Sequence, residues 1–412
     1  MAPSDDATSA GSGGAEADST DGGTDSAGVE DDSSPARPRA GGARISSSPS
    51  VTVREYEPAD REAVRALYGA AWSHPAEPAW FDWKFHDNPF VPDPPMLVAE
   101  RGGEVAGIRP WFDLPMRAGD RFVAGTLHTN SMVHPDHRGE GVFSAMAEAG
   151  KAHYAARDRD LVMGFGNENS APILAHWGWT EVGTCPKWYR VRNPVPLVGA
   201  ESGLAALAAR AGGTLARGYL RVRDALADAP SDVAVRRAAE PAATLAALAA
   251  RNVPERLHVE RTEGFYRWRL ASPRLETTTF VAARDGVDRA ALVARPRDFG
   301  DARAVQLFDL APLSVGADDR QSAARGGSDA AISALLDAVF AAFPDADLVT
   351  APGTVWRATP VPSRGFVANR SRLVPDSLAT GLTLLTTSVE GRGGGFAEPS
   401  DWALTGTIIE TE

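Results

Sequence analysis

Apolar and polar residues alternate along the chain with a period that switches repeatedly between two and about 3.6. Residues 51–56 alternate with a period of two, which predicts a strand. The next segment places Val64, Leu67 and Tyr68 on one helical face. The pattern then predicts, in order, strands over 96–100, 104–113 and 121–133, a helix from Gly141 to Arg157, a strand over 161–165, a short helix over 172–177 and a strand over 184–192.

A second part of the chain repeats this order. The aromatic run Trp80-Phe81-Asp82-Trp83-Lys84-Phe85 is matched by Phe265-Tyr266-Arg267-Trp268-Arg269-Leu270, and a proline follows each run. A hairpin, a strand, a helix over 331–343 and another strand come next, as in the first part. We interpret this as an internal duplication with a period of about 185 residues, chance recurrence of an α/β pattern being the alternative. We expect the duplicated aromatic runs to pack at the same place in each unit.

The predicted fold class is α/β with mixed sheets: two tandem domains, each a mostly antiparallel sheet flanked by helices. Between them lies an Ala- and Leu-rich stretch that predicts connecting helices interrupted at Gly212-Gly213. The second unit has a polar loop over 316–328 where the first has a Gly-rich turn. The resulting division is a disordered acidic tail over 1–50, a first domain over 51–195, a helical connector over 196–230, a second domain over 231–375 and a C-terminal segment over 376–412.

Charge and composition limit the classes of function. The chain has 54 Asp and Glu against 42 Lys and Arg, a net charge of -12, and nucleic-acid binding needs the opposite balance. Cys185 is the only cysteine, so intramolecular disulfides are excluded. No apolar stretch long enough for a membrane span and no secretory signal is visible, and we expect a cytoplasmic protein without membrane partners.

The stretch from His128 to Ser144 carries the clearest chemical signal. It predicts the end of a strand, a tight turn containing Gly139 and Gly141, and the start of a helix. A helix start offers unpaired N–H groups and the positive end of the helix dipole, and Arg138 adds a charge. These features predict a site for a phosphate or pyrophosphate. His134, Asp136 and His137 follow no recognised metal spacing, so no metal is expected.

The element order around this turn resembles that of the GNAT acyl-CoA N-acyltransferases. Val133-His134-Pro135-Asp136-His137-Arg138-Gly139-Glu140-Gly141 looks like their pyrophosphate-binding motif, and Asn167 followed by Gly178-Trp179 is similar to their later Asn…Gly-Phe signature. The segment 164–170 and the Trp-Lys-x-x-x-Asn-Pro segment most resemble large two-lobed members of the enhanced-intracellular-survival type. The resemblance covers 51–195 well, and 233–373 in element order only.

The resemblance implies an acetyl-CoA-dependent N-acetyltransferase with two tandem GNAT-like domains, the first one active. It implies acetyl-CoA as co-substrate, no metal, and a small-molecule or peptide amine as acceptor; homo-oligomerisation stays open. The residues it assigns to coenzyme A, by backbone or side chain, are Met132, Val133, Arg138, Gly139, Glu140, Gly141, Val142, Phe143, Ser144, Asn167 and Ser170.

Three departures from the family pattern matter. Phe143 stands where the motif prefers Gly or Ala, although its helical register with Met146 and Tyr154 predicts a core position. Leu174 stands where many members place a Tyr that protonates the leaving thiolate. The chain ends at Glu412, without the aromatic terminus of some relatives, and its carboxylate is a further candidate for reaching the site.

The catalytic candidates are His128 and Asn130, which alternation places on one face of the strand before the turn. His128 is titratable near neutral pH and could serve as the base, a structural histidine being the alternative. Ser170 could bind coenzyme A or cap a helix. Two other functions stay open: a non-catalytic acyl-CoA-binding protein, and an aminoacyltransferase that takes its acyl group from tRNA.

Overall fold

The computed structural model describes residues 51–409, apart from 73–75, 92–93, 158, 198–202, 228–231, 314–321, 370, 372–373, 375–377, 379–380 and 389–394. Two expectations lie outside these residues: the disordered tail over 1–50 and the placement of the Glu412 carboxylate. Within the described residues, no helix combines the length and apolarity that crossing a membrane requires.

The first half of the chain builds most of one mixed sheet. Its elements are β1 (Thr52–Glu55), α1 (Arg61–Trp72), α2 (Pro78–Phe81, continued by a π-helical turn over Asp82–His86), β2 (Met96–Arg101), β3 (Glu104–Ala118), β4 (Arg121–His128), β5 (Met132–Val133), α3 (Val142–Ala156), β6 (Leu161–Gly166), α4 (Ser170–His176) and β7 (Thr180–Thr184).

The second half of the chain builds most of a second mixed sheet. Its elements are β8 (Lys187–Val191), α5 (Gly203–Ala225), β9 (Val233–Arg237), α6 (Pro241–Arg251), β10 (His258–Val259), α7 (Glu263–Leu270), β11 (Thr278–Arg284), β12 (Val287–Phe299), β13 (Ala302–Ala311), α8 (Ser322–Ala342), β14 (Leu348–Pro352), β15 (Val367–Ala368), β16 (Thr383–Ser388) and α9 (Gly406–Ile409).

Each sheet is antiparallel except for one parallel pair among the described strands. The first runs β1-β2-β3-β4-β6-β16-β7, with β5 and β10 also on β3, and its parallel pair is β4–β6. The second runs β15-β8-β14-β13-β12-β11-β9, and its parallel pair is β13–β14. The predicted mixed α/β architecture of two mostly antiparallel sheets is confirmed.

The two sheets exchange strands. The predicted strand over 184–192 is confirmed as β8 (Lys187–Val191), but its place in the first unit is wrong, because β8 pairs with β14 and β15 of the second sheet. The preceding strand β7, which ends at Thr184, belongs to the first sheet. Pro186 separates the two strands, and proline has no N–H to continue a ladder. In return, β16 from near the C-terminus lies between β6 and β7 of the first sheet.

One hydrophobic core joins the two halves. It contains Trp80 and Trp83 from the first aromatic run together with Phe265 and Trp268 from the second. Trp83 and Trp268 stack with their ring centroids 5.7 Å apart. The expectation that the duplicated runs pack at equivalent places is confirmed.

Two helix predictions are corrected. The connector α5 runs unbroken through Gly212 and Gly213, because its many Ala, Leu and Arg residues outweigh a cost of roughly 1 kcal/mol per glycine. Helix α8 begins at Ser322, within the segment expected as a polar loop. Alanines on both sides of Gly326-Gly327 again favour the helix.

Candidate functional site

Strands β4 and β6 separate at the point where the predicted site lies. They pair in parallel from Gly125 and Leu161 as far as His128 and Gly164. Beyond His128 the chain leaves β6, and β5 then pairs with β3, while the end of β6 stays paired with β16. An opening therefore lies between β5 and the end of β6.

Backbone geometry aims an N–H group into this opening. His134 donates its N–H to the carbonyl of Ala106, at the end of the β5–β3 ladder, with an N···O distance of 2.8 Å. Successive residues of a strand direct their N–H groups to opposite sides. The N–H of Val133 therefore points away from β3 and into the opening.

The turn after β5 has the conformation that its glycines predict. Gly139 and Gly141 have φ angles of 74° and 82°, which residues with a Cβ resist. A Cβ added at Gly141 would meet nothing within 4 Å, so open space lies in front of it. The first N–H group of α3 that has an acceptor within the helix is that of Ala145, which donates to the carbonyl of Gly141. The N–H groups of residues 142–144 thus face the same end of α3 without helical acceptors.

A brace holds this turn in place. The Glu140 carboxylate lies 3.1 Å from Nε of Arg101 and 3.0 Å from Nδ1 of His137. The side chain of Glu140 therefore stabilises the turn, and Nη1 of Arg101 also donates to its backbone carbonyl. Arg138 is exposed on the same turn. An exposed cation beside a helix start is an arrangement that fits a pyrophosphate group.

The side chain of Phe143 points away from the turn. It is 2% exposed and packs with Val142 and Met146, and its ring lies 6.3 Å from that of Trp177. A small residue at this position keeps the first helical turn free of bulk. Phe143 leaves that space free as well, because its side chain is inside the core. Val142, Phe143 and the half-buried Ser144 present backbone rather than side chains to a ligand.

Asn167 and Ser170 hydrogen-bond to each other. Oδ1 of Asn167 accepts from the backbone N–H of Ser170 at 2.9 Å, and the N–H of Asn167 donates to Oγ of Ser170 at 2.9 Å. Ser170 is fully buried. Asn167 thus accepts the first N–H of α4, whereas the hydroxyl of Ser170 bonds back to Asn167 and does not cap the helix.

His128 is buried at the end of β4 and is 4% exposed. Its Nε2 lies 2.8 Å from Oγ of Ser131, and its ring meets the edge of Trp179 at 5.7 Å. Burial, assisted by the positive charge of Arg109, holds the pKa of His128 well below its ordinary value. The imidazole is therefore neutral at physiological pH.

Asn130 has a different environment from His128. Its φ of 47° is left-handed, a conformation that Asn tolerates better than most residues. Its Oδ1 accepts from Nζ of the buried Lys84 and from Oγ1 of Thr129 at 2.7 Å. The predicted single strand over 121–133 is wrong at this point, because β4 ends at His128 and β5 begins at Met132, so strand alternation does not relate Asn130 to His128.

Sequence reasoning missed Lys84 and Ser131. Lys84 is 0% exposed, and its Nζ lies 4.7 Å from the ring centroid of Trp80. A lysine inside an aromatic run, in a chain that has only three lysines, was a signal that could have identified it. Ser131 gave no such signal, since its pairing with His128 depends on the irregular backbone at Asn130.

Two further groups are placed by the structure. Leu174 is 3% exposed in a cluster with Trp111 and Tyr154, so no acid replaces the family's Tyr at that position. Cys185 is buried, and desolvation raises the pKa of its thiol to about 12, which removes it as a nucleophile. Across the part of the chain that the structure describes, no three His, Cys, Asp or Glu side chains are grouped to hold a metal ion.

Comparisons with known proteins agree with this geometry. The family model described as an acetyltransferase (GNAT) domain matches residues 52–182, which include β1, the opening, the turn and α3. No curated protein matches the chain.

Several solved structures share the fold. A GCN5-related N-acetyltransferase from Kribbella flavida has a TM-score of 0.53 and 16% identity, over 83% of this chain and 71% of that one. A GCN5-related N-acetyltransferase from Anabaena variabilis has a TM-score of 0.54 and 9% identity, over 82% and 73%. N-myristoyltransferase from Saccharomyces cerevisiae, with bound myristoyl-CoA and inhibitors, has a TM-score of 0.54 and 12% identity, over 84% and 82%.

These structural likenesses establish a common fold over both halves, and the family model identifies the half that carries the turn. The chain thus has a GNAT-like fold, and its residues 52–182 match the acetyltransferase (GNAT) domain.

Proposed function

We propose that the protein transfers the acetyl group of acetyl-CoA to a primary amine, by direct attack of the amine within a ternary complex. One observation carries the proposal: the opening between β5 and β6 and the glycine turn before α3 lie on one continuous segment, from His128 to Ser144. A thioester in the opening and a pyrophosphate at the turn can therefore belong to one molecule.

Each part of acetyl-CoA has a matching part of the segment. The pyrophosphate would accept hydrogen bonds from backbone N–H groups of residues 139–144, and the positive charge of Arg138 would stabilise it. The pantetheine arm would lie along Met132 and Val133, as an added strand does. The thioester oxygen would accept a hydrogen bond from the N–H of Val133. This bond would stabilise the negative charge that develops on the oxygen during the reaction.

The reaction forms a C–N bond and breaks a C–S bond. The neutral amine attacks the thioester carbon, the tetrahedral intermediate collapses with loss of the thiolate, and the nitrogen gives up one proton. His128 is neutral and within 2.8 Å of Ser131, so the pair can accept that proton and pass it on. Leu174 replaces the Tyr that protonates the thiolate in many family members. In this chain the thiolate would instead take up the proton that the nitrogen has lost.

Asn130 and Lys84 have a positioning role in this proposal. The buried ammonium of Lys84 holds Asn130 in its left-handed conformation, and this conformation takes the chain off β6 and opens the site. The amine acceptor is a small molecule or a peptide. We expect the reaction to take place in the cytoplasm, since a chain with one cysteine does not rely on intramolecular disulfides formed in an oxidising compartment.

The buried Leu174 favours a second candidate, a protein that binds acyl-CoA without catalysis. Both candidates need the turn, and they differ only in the proton transfers. In the second, the opening holds the acyl group and Ser131 and His128 merely stabilise the irregular strand.

Calorimetry with acetyl-CoA, combined with thiol release over a panel of amines and peptides, tests the proposal. We expect binding and amine-dependent release. Binding without release on any acceptor would favour the second candidate, and the absence of binding would refute both.

A further inference from the structure

A cavity of about 330 Å³ lies where the far end of β3 meets α6 and β10. The β10 strand pairs with this end of β3, His258 opposite Arg117. Trp111, which pairs with His128, lies six residues earlier on β3. At the rise of an extended strand this is roughly 20 Å, so the cavity is separate from the acyl-transfer opening.

One wall of the cavity is made of small side chains. Ala246, Ala249 and Ala250 occupy one face of α6 and leave the space open. A volume of this size falls in the range of small-molecule sites, which are mostly apolar with a few placed polar groups. An apolar group of modest size would fit against the alanine wall.

Arg117 and Glu260 carry opposite charges on the cavity wall, but they do not form a close hydrogen-bonded ion pair. Nη1 of Arg117 lies 3.8 Å from Oε1 of Glu260, which is longer than a hydrogen bond. Nη2 of Arg117 lies 3.5 Å from the exposed Asp120. Among the described residues, only Nε of Arg117 has a close partner, the carbonyl of Gly119 at 2.6 Å. A guanidinium and a carboxylate are thus both left with hydrogen-bonding capacity.

Deeper in the cavity two buried groups add a donor and an acceptor. Nε of Arg261 has no hydrogen-bond partner among the described residues, although the side chain is only 2% exposed. Nδ1 of His258 lies 2.8 Å from the carbonyl of Arg256, so it carries the proton and Nε2 is a bare acceptor. Two cations, one carboxylate and a neutral imidazole therefore surround an apolar floor.

We propose that this cavity binds a free α-amino acid with an apolar side chain. Its carboxylate pairs with Arg117, its ammonium pairs with Glu260, and its side chain covers the alanine face of α6. The charged groups of an α-amino acid are about 3 Å apart, which follows from ordinary bond lengths. A single zwitterion can therefore bridge the long Arg117–Glu260 pair, which a purely anionic or cationic ligand cannot.

Such a ligand would fasten the two halves of the molecule together. Arg117 belongs to the first sheet, whereas Glu260 follows β10 in the second half of the chain. A ligand that binds only the folded protein raises its unfolding temperature by mass action. The amino acid would thus act on stability and on the join between the halves, at a distance from the acyl-transfer site.

Calorimetry of the full chain with L-leucine, in the absence of acyl-CoA, tests the proposal. We expect saturable binding and a rise in the unfolding temperature. 4-Methylpentanoate, which lacks the ammonium group, and 3-methylbutylamine, which lacks the carboxylate, should each bind at least tenfold more weakly. Equal binding of either analogue would overturn the zwitterion assignment.

Matched variants locate the site. Ala249→Phe fills the cavity and should abolish leucine binding, whereas Ala247→Phe, on an exposed face of the same helix, should retain it. Arg117→Met removes the carboxylate partner and should weaken binding at least tenfold, which provides a second test if Ala249→Phe does not fold. The absence of binding by leucine, alanine and phenylalanine to the unmodified protein would refute the proposal, whatever its acetyltransferase activity.

Discussion

Trp83 and Trp268 each donate a hydrogen bond to the other's backbone. Nε1 of Trp83 donates to the carbonyl of Trp268 at 2.7 Å, and Nε1 of Trp268 donates to the carbonyl of Trp83 at 2.8 Å. Their rings are stacked with an interplanar angle of 19°. Two residues that are 185 positions apart therefore make the same contact in both directions, as expected if the halves are related by duplication.

Removing either indole N–H should destabilise the protein. Trp83→Phe or Trp268→Phe leaves a buried carbonyl without its donor, and we expect a loss of about 1–3 kcal/mol in the free energy of unfolding. Urea unfolding measures the loss. Trp188→Phe is the matched control, because Nε1 of Trp188 is buried and has no hydrogen-bond partner among the described residues, and it should cost less. Equal losses at all three positions would contradict the reciprocal contact.

Gly141 should matter for coenzyme A binding in a way that another left-handed glycine does not. Gly141 and Gly102 have φ angles of 82° and 61°, and an added Cβ would meet nothing within 4 Å at either position. Alanine should therefore cost about 1–2 kcal/mol of stability at both. Only Gly141→Ala places a methyl group before α3, and we expect it alone to weaken acetyl-CoA binding by tenfold or more in calorimetry.

The rate of acetyl transfer should show no inflection near pH 6.5. Burial and Arg109 lower the pKa of His128, so the imidazole is already neutral at that pH. The rate should instead rise with pH as the acceptor amine loses its own proton, and the rise should move with the pKa of the amine chosen. A wild-type inflection near 6.5 that disappears in His128→Asn would show that His128 titrates in the ordinary range.

His258 should make the protein sensitive to acid. Burial lowers the pKa of His258 from 6.5 to about 4. Between these values the unfolded chain binds a proton that the folded chain does not, so the free energy of unfolding falls as the pH falls through this window. The contribution amounts to about 3 kcal/mol at most.

Urea unfolding at pH 7 and at pH 4.5 measures this effect. His258→Asn should reduce the difference in unfolding free energy between the two pH values, whereas His176→Asn, at an exposed histidine, should leave it unchanged. An unaltered difference in His258→Asn would assign the acid sensitivity to other groups.

The parts of the site that the sequence predicts are those fixed by local chemistry. The glycine turn and the start of α3 depend on residues within one short segment, and the register of Phe143 with Met146 gives its direction into the core. Contacts between segments that are distant along the chain cannot be predicted from such local patterns. The pairing of Lys84 with Asn130 depends on a π-helical turn and a left-handed residue, neither of which has a periodic signal.

The exchange of strands shows the same limit on a larger scale. Residues 184–192 have the alternation of a strand, and nothing in that alternation tells which of the two sheets the strand will join. The choice is made by β14 and β16, which lie far along the chain. The element types were predictable because they depend on local period, whereas the membership of each sheet depends on long-range packing.

The position of β16 has a consequence for how the protein is made. This strand fills the space between β6 and β7 of the first sheet, yet it is synthesised after the described strands of the second sheet. The first sheet stays incomplete, with unpaired strand edges, until the second sheet and β16 have left the ribosome. Domains usually fold in order as they emerge, but here the N-terminal domain must wait for the C-terminal one. A chain that terminates early therefore yields no finished copy of the first sheet.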